Sequence, residues 1–422
     1  MNATPPTMLA PVTARERIEA MDVLRGFALL GILLMNIEAF VGPLFGAITG
    51  LDPALTGADR WADALIYILV QGKFYTLFSL LFGMGFAVMM ARAQAASRGF
   101  GVLYLRRTMV LLAIGLAHML LIWSGDILTI YALIALVLLL FRNTSQSRLL
   151  KWGLALYALP ALLLLLLGAL GSLAQSDPAS AAEFNQSLAV QSAIMTDALE
   201  AQREAYGSGS YAEAVARRYE DFRLMLSHVA MMMGWQILGM FLLGAWFVRS
   251  GAIARPREFP RLYQRLRWFA LPAGLAMMLG SFWLEPTADY ARMDFRWGVA
   301  NALAMLGGLL MCLGYVGWVV GALQSPRWAP RWGVLAPAGR MALTNYLIQS
   351  IVCTLIFYGY GLGWFEQLSR AWQVPFVLAL FALQVVFSHW WLARFRFGPG
   401  EWAWRAATYG VRPRMRLAAD SP

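Results

Sequence analysis

The chain predicts an all-α, polytopic transmembrane helix bundle of about ten helices with both termini cytoplasmic. Three observations carry this. Sixty per cent of its residues are hydrophobic and only 14% charged, with a mean hydropathy of +0.59, well outside the range of a soluble domain. The apolar residues gather in stretches near the ~20 residues that a hydrocarbon crossing requires. The net charge of +11, almost all of it arginine, sits in short connections between those stretches. That is the pattern of an orientation signal and not of a nucleic-acid surface.

Taken in order, the first span is Val23–Val41. A polar, Pro- and Thr-containing segment precedes it and no cleavage site follows, so it reads as a retained helix and not a removed signal peptide. Ala64–Met90 and Leu105–Trp123 come next. Ile127–Phe141 is several residues short and must borrow from the Trp123–Asp126 turn before it. Trp152–Leu173 leads into residues 173–223, the one sizeable polar segment. It reads as two amphipathic helices broken at Gly207-Ser208-Gly209-Ser210, forming an extracytoplasmic cap over the outer mouth. Leu224–Val248, Trp268–Leu284, Trp297–Leu323, Met341–Tyr358 and Pro375–Leu392 complete the set, and residues 393–422 form a basic cytoplasmic tail. With the N-terminus inside, the cytoplasmic segments hold roughly three times as many Lys and Arg as the outer ones. The whole chain, 1–422, is then one transmembrane domain.

Several function classes are excluded. Cys312 and Cys353 both lie in apolar runs and read as buried small hydrophobes, not as a disulfide or metal pair. There is no phosphate-binding glycine loop, zinc spacing or nucleophile elbow, no internal repeat and no inverted pair of broken helices. Neither a metal nor a nucleic-acid partner is expected.

The topology sorts the intramembrane polar residues into two layers. The inner layer holds Asp22 and Arg25 on the first helix, Arg340, Thr344 and Asn345 on the ninth and His389 on the tenth. The outer layer holds Asn36, Glu38, Asp63, His118, Asp126, His228 and Glu285, with Gln71 and Lys73 between the two. A charge in hydrocarbon costs ~2.5–3.5 kcal/mol on insertion scales, so Arg25 needs a compensating partner or purpose. Asp22, three residues earlier on the same helical face, is such a partner. Asp126 sits in a tight turn eight residues after His118, where a folded-back carboxylate orients an imidazole as a general base. The Trp and Tyr at helix ends form an aromatic belt and imply no cofactor.

Three stretches carry a resemblance: MDVLRGFALLGILLMNI, GLAHMLLIWSGDILTIYAL, and GRMALTNYLIQS with SHWWLARFRFGPGEWAWRAATYG. Together they resemble the YeiB family of bacterial inner-membrane proteins, catalogued as a domain of unknown function, over nearly the whole chain. More distantly, the first stretch and DALIYILVQGKFYTLFSLLFGMG are similar to heparan-α-glucosaminide N-acetyltransferase and to bacterial acyltransferases that decorate surface glycans. That resemblance implies transfer of an acyl group from cytosolic acyl-CoA to an acceptor across the membrane. Asp22 and Arg25 match the shared Asp and Arg of the first motif. The histidine that the glycan enzymes place eleven residues after the arginine is Asn36 here, and no histidine occurs between Glu38 and Trp61.

The resulting expectation is an acyltransferase that takes acyl-CoA as donor and acylates an extracytoplasmic hydroxyl or amine on a small molecule or glycan. His118, Asp126 and Glu38 are the catalytic candidates; Arg25, Arg340, Asn345 and Lys73 would hold the donor. Asp22, Asn36, Asp63, Trp123 and Gln349 would line the path or support it. The partners would be the lipid bilayer, the acceptor and, in a homodimer, a second copy of the chain. The alternative is a transporter or permease that uses the same polar residues as a solute pathway.

Overall fold

The computed structural model describes residues 18–95, 100–287, 289 and 291–417. The ends of the 1–422 domain, including the last five residues of the basic tail, lie outside them. The described residues are helical apart from loops and two isolated β-bridges, Gly50 with Thr287 and Phe395 with Arg416.

Helix α1 (Glu19–Val41) runs through the middle of the bundle. α2 (Gly57–Leu69) and α3 (Lys73–Ala95) form one long apolar unit broken at Val70–Gly72. α4 (Phe100–Leu121) and α5 (Leu128–Leu138) form a hairpin, followed by α6 (Gln146–Ala174). α7 (Pro178–Gln202) and α8 (Tyr211–His228) supply the polar segment, and α8 continues into α9 (Gly234–Arg249). α10 (Leu271–Leu284) and α11 (Phe295–Leu323) come next. The short α12 (Ala336–Arg340) and α13 (Ala342–Phe357) belong to a pair bent by 75°, and α14 (Arg370–Leu392) and α15 (Pro399–Tyr409) close the chain.

All ten apolar stretches read from the sequence are helical. Among the described residues seven helices, or eight if the bent pair is one span, are long and apolar enough to cross a membrane unaided. Of the two remaining stretches, Leu128–Phe141 is short of that length, and α10 closes a continuous helical run that begins at Pro260. The bent pair is a broken helix that the sequence pattern did not reveal.

The helices meet backbone to backbone through small residues, the packing available where lipid supplies no hydrophobic drive. Gly153 of α6 faces Gly239 of α9, Gly168 of α6 faces Gly298 of α11, and Gly274 of α10 faces Gly307 of α11. At the α1–α12 crossing a Cβ on Gly339 would collide with the Asp22 carbonyl oxygen, and one on Gly26 with that of Leu335. This crossing places Arg25 and Arg340 in the lining of one cavity. Burial within the span is 61% for α1 but 22% for α4 and 28% for α14. α1 is therefore a core helix, while α4 and α14 turn most of their surface outward.

The polar segment is a cap. α7 stays helical through a further turn to Ser208, so the break falls at Gly209-Ser210. There Ser210 and Glu213 close a reciprocal capping box that starts α8. Fully buried Arg218 donates to the Leu120 and Leu121 carbonyls at the end of α4, and Tyr206 reaches both Asp221 (2.6 Å) and Ser124. The cap thus sits directly on the α4–α5 turn.

Candidate functional site

A cavity of about 320 Å³ opens between α1, α3, α4, the α12–α13 bend and α15. One end carries six arginines: Arg25, Arg92, Arg107, Arg340, Arg396 and Arg405. Arg25 is held by Asp22 at 2.9 Å. The Arg107 guanidinium lies 3.7 Å from the Trp404 ring centre, and the Trp404 indole donates back to the Arg107 carbonyl. Beyond this mouth the walls are apolar, with Phe78, Leu81, Phe82, Phe86, Met89 and Leu111. The far end is Ile127, Leu128, Tyr131 and Tyr346.

α15 brings one carboxylate to the cationic mouth. Glu401 accepts the N–H of Leu343 (2.7 Å) and of Thr344 (3.1 Å), and the Thr344 hydroxyl at 2.6 Å. It thereby satisfies donors in the first turn of α13, which has no cap of its own. Burial pushes the Glu401 carboxyl above its ordinary value, while the bonds from Thr344 and Leu343 pull the other way.

Beside the far end lies the His118–Asp126 pair. The chain reverses after α4, with the Ile122 and Trp123 N–H groups both closing on the His118 carbonyl. Gly115, one turn before His118, has no side chain to hold off Thr129 at the start of α5. The reversal folds Asp126 back so that its Oδ1 is 2.9 Å from His118 Nδ1, while its Oδ2 accepts the Thr129 N–H at 2.6 Å. Both side chains are buried, at 1% and 0% exposure. Asp126 is placed to orient the ring through Nδ1, and His118 Nε2 has no hydrogen-bond partner among the described residues. The Tyr346 ring lies 5.1 Å from the imidazole, and its hydroxyl accepts the Ile127 N–H at 3.4 Å. The eleven residues from Arg107 to His118 span ~16 Å at helical rise, and neither His118 nor Asp126 lines the cavity itself: both are buried behind its far end.

The other candidate residues fall elsewhere. Glu38 does not join His118: it pairs with Arg370 at 2.9 Å, and Arg370 also bonds Asp63 (2.8 Å) and Gln373 (2.7 Å). Lys73, expected at the donor site, instead donates to the Tyr67 carbonyl at 2.7 Å inside the α2–α3 break, where it caps the end of α2. Gln71 in the same break reaches the Ala47 carbonyl. Asn345 does not line the cavity; it donates to the Ala338 carbonyl and Ser388, tying the bend to α14. Gln349 bonds Gln384. Trp123 packs against Phe40 and donates to the Ala39 carbonyl. Asn36 is half-buried on α1. His389 approaches the Val334 carbonyl at an exposed position. Arg370, Tyr346 and Glu401 are the residues that sequence reasoning passed over.

Two full-length relatives settle the family. The chain is 36% identical to the uncharacterized protein YxaH of Bacillus subtilis, covering 95% of this chain and 96% of that one. It is 32% identical to the uncharacterized protein YeiB of Escherichia coli, covering 93% and 96%. This chain belongs to the YeiB family. A family profile described as a protein of unknown function (DUF418) matches residues 247–411 of this YeiB-family protein. A third relative, an uncharacterized 39.9 kDa protein from Bacillus acidopullulyticus, is 28% identical over 94% of this chain and 96% of its own. No solved structure matches.

Proposed function

We propose that this YeiB-family protein is a multi-pass acyltransferase of the bacterial inner membrane, with both termini cytoplasmic. It takes an acyl group from cytosolic acyl-CoA and delivers it to a hydroxyl or amine on an extracytoplasmic acceptor. The observation that carries the reading is the cavity: six arginines at one end, an apolar passage, and a carboxylate-oriented histidine beside the other. The donor's phosphates and its thioester-linked chain call for these two environments in this order. Arginine forks suit phosphates, the apolar walls suit an acyl chain, and a base with a free Nε2 suits deprotonation of the acceptor. Arg25 and Arg340 are the phosphate-holding residues in this reading, and His118 with Asp126 is the base.

The 75° bend of the pair ending in α13, which lines the same cavity, favours the second reading of a permease, because broken helices frame solute sites in many transporters. Thermal unfolding of the purified full-length protein in detergent with CoA separates the two. A ligand at about 100 times its dissociation constant stabilises by ~2.7 kcal/mol. CoA should therefore raise the midpoint in a concentration-dependent way. Arg25→Ala should weaken that binding at least tenfold, since a charged hydrogen bond is worth ~1.5–3 kcal/mol. No shift at millimolar CoA in a folded sample would overturn the donor assignment.

A further inference from the structure

Resting on that reading, we infer that Tyr346 is a second catalytic group, the hydrogen-bond donor to the thioester carbonyl. Tyr346 belongs both to the cavity's far end and to the surroundings of His118: it lines the cavity, and its ring lies 5.1 Å from the imidazole. It is 5% exposed. Its hydroxyl accepts the Ile127 N–H, a long bond at 3.4 Å, and among the described residues it donates to no acceptor. Asp126 is already engaged by His118 and Thr129. The phenol therefore keeps a proton to offer to whatever reaches the floor of the cavity.

The chemistry balances. The acceptor's oxygen or nitrogen bonds to the carbonyl carbon as His118 Nε2 takes its proton, and the carbonyl electron pair moves onto oxygen. Tyr346 donates its O–H to that oxyanion without giving up the proton. When the pair returns, the carbon–sulfur bond breaks, and the CoA thiolate leaves as thiol with the proton carried by His118. A donor placed for the developing oxyanion acts where water is excluded, which is where such a bond counts most.

The test uses full-length protein in liposomes with acetyl-CoA as donor. Hydroxylamine, a small acceptor bearing both a hydroxyl and an amine, serves as probe, and thiol release is read above the uncatalysed background. Tyr346→Phe keeps the ring against His118 and removes only the hydroxyl. It should lower turnover ~10²–10³-fold while leaving CoA-dependent thermal stabilisation and the basic limb of the pH profile unchanged. A Tyr346→Phe protein within threefold of wild type overturns the inference and leaves the acyltransferase reading standing. So does a loss of turnover matched by an equal loss of CoA affinity, which would mark a structural tyrosine. A wild-type protein that neither binds CoA nor releases thiol above background overturns both.

Discussion

Asp126→Asn isolates the role of the buried carboxylate. Asp126 serves two donors, His118 Nδ1–H at 2.9 Å and the Thr129 N–H at 2.6 Å. Asparagine has one carbonyl oxygen and one NH₂ group, so it can accept from only one of them. Thr129 N–H is fixed at the start of α5 and cannot turn away, whereas the imidazole can exchange its proton between nitrogens. The carbonyl oxygen therefore stays with Thr129 and the NH₂ group faces Nδ1. His118 then carries its proton on Nε2 and loses the lone pair that would take the acceptor's proton. Loss of a positioned base lowers turnover ~10²–10⁴-fold, and the corresponding substitution in a serine-protease triad acts through the same wrong tautomer. The charge-assisted bond removed is worth ~1.5–3 kcal/mol, so a lower unfolding midpoint should accompany the loss. CoA binding should persist, because the arginine mouth lies ~16 Å away along α4. Thiol release from acetyl-CoA gives the rate and thermal unfolding with CoA gives the binding. Turnover within threefold of wild type would refute the base assignment.

Two further outcomes follow from packing. Arg370→Ala leaves the Glu38 and Asp63 carboxylates without their shared guanidinium. Breaking such a buried arrangement should destabilise by ~3–5 kcal/mol in denaturant or thermal unfolding, with partial recovery in Arg370→Ala combined with Asp63→Asn; an unchanged midpoint would mean that the cluster is solvated. Gly339→Ala should lower the midpoint by overpacking worth ~1–3 kcal/mol and weaken CoA binding together with it, because the new methyl meets the Asp22 carbonyl at the crossing from which Arg25 and Arg340 line the cavity.

The helices were legible because hydropathy is local: each apolar stretch reports its own state without reference to the rest of the chain. The short stretches Ile127–Phe141 and Trp268–Leu284 show where that signal thins, since length alone cannot tell a crossing from a buried half-span. The His118–Asp126 approach was also legible, being eight residues long and closed by one turn. The pairing of Glu38 was not legible because its partner Arg370 lies on a helix far along the chain, beside an Asp63 that is 307 residues away from it. Lys73 read as a ligand-holding charge because an unbroken helix leaves no carbonyl for it. The break after Leu69 supplies one, and no Pro marks that break. Glu401 sits in a tail that reads as basic, and only the fold brings it to the first turn of α13.

The origin of the cavity's last wall bears on how the protein matures. Arg396, Glu401, Trp404, Arg405 and Tyr409 come from the final stretch of the chain, and the start of α13 depends on Glu401 for its hydrogen bonds. During synthesis α1 to α14 emerge first, while this end of the cavity stays open and α13 lacks the acceptor for its first turn. The arginine mouth is assembled only once α15 has followed. Truncation directly after Leu392 would therefore leave α1 to α14 and remove this wall together with Glu401, leaving one end of the cavity open.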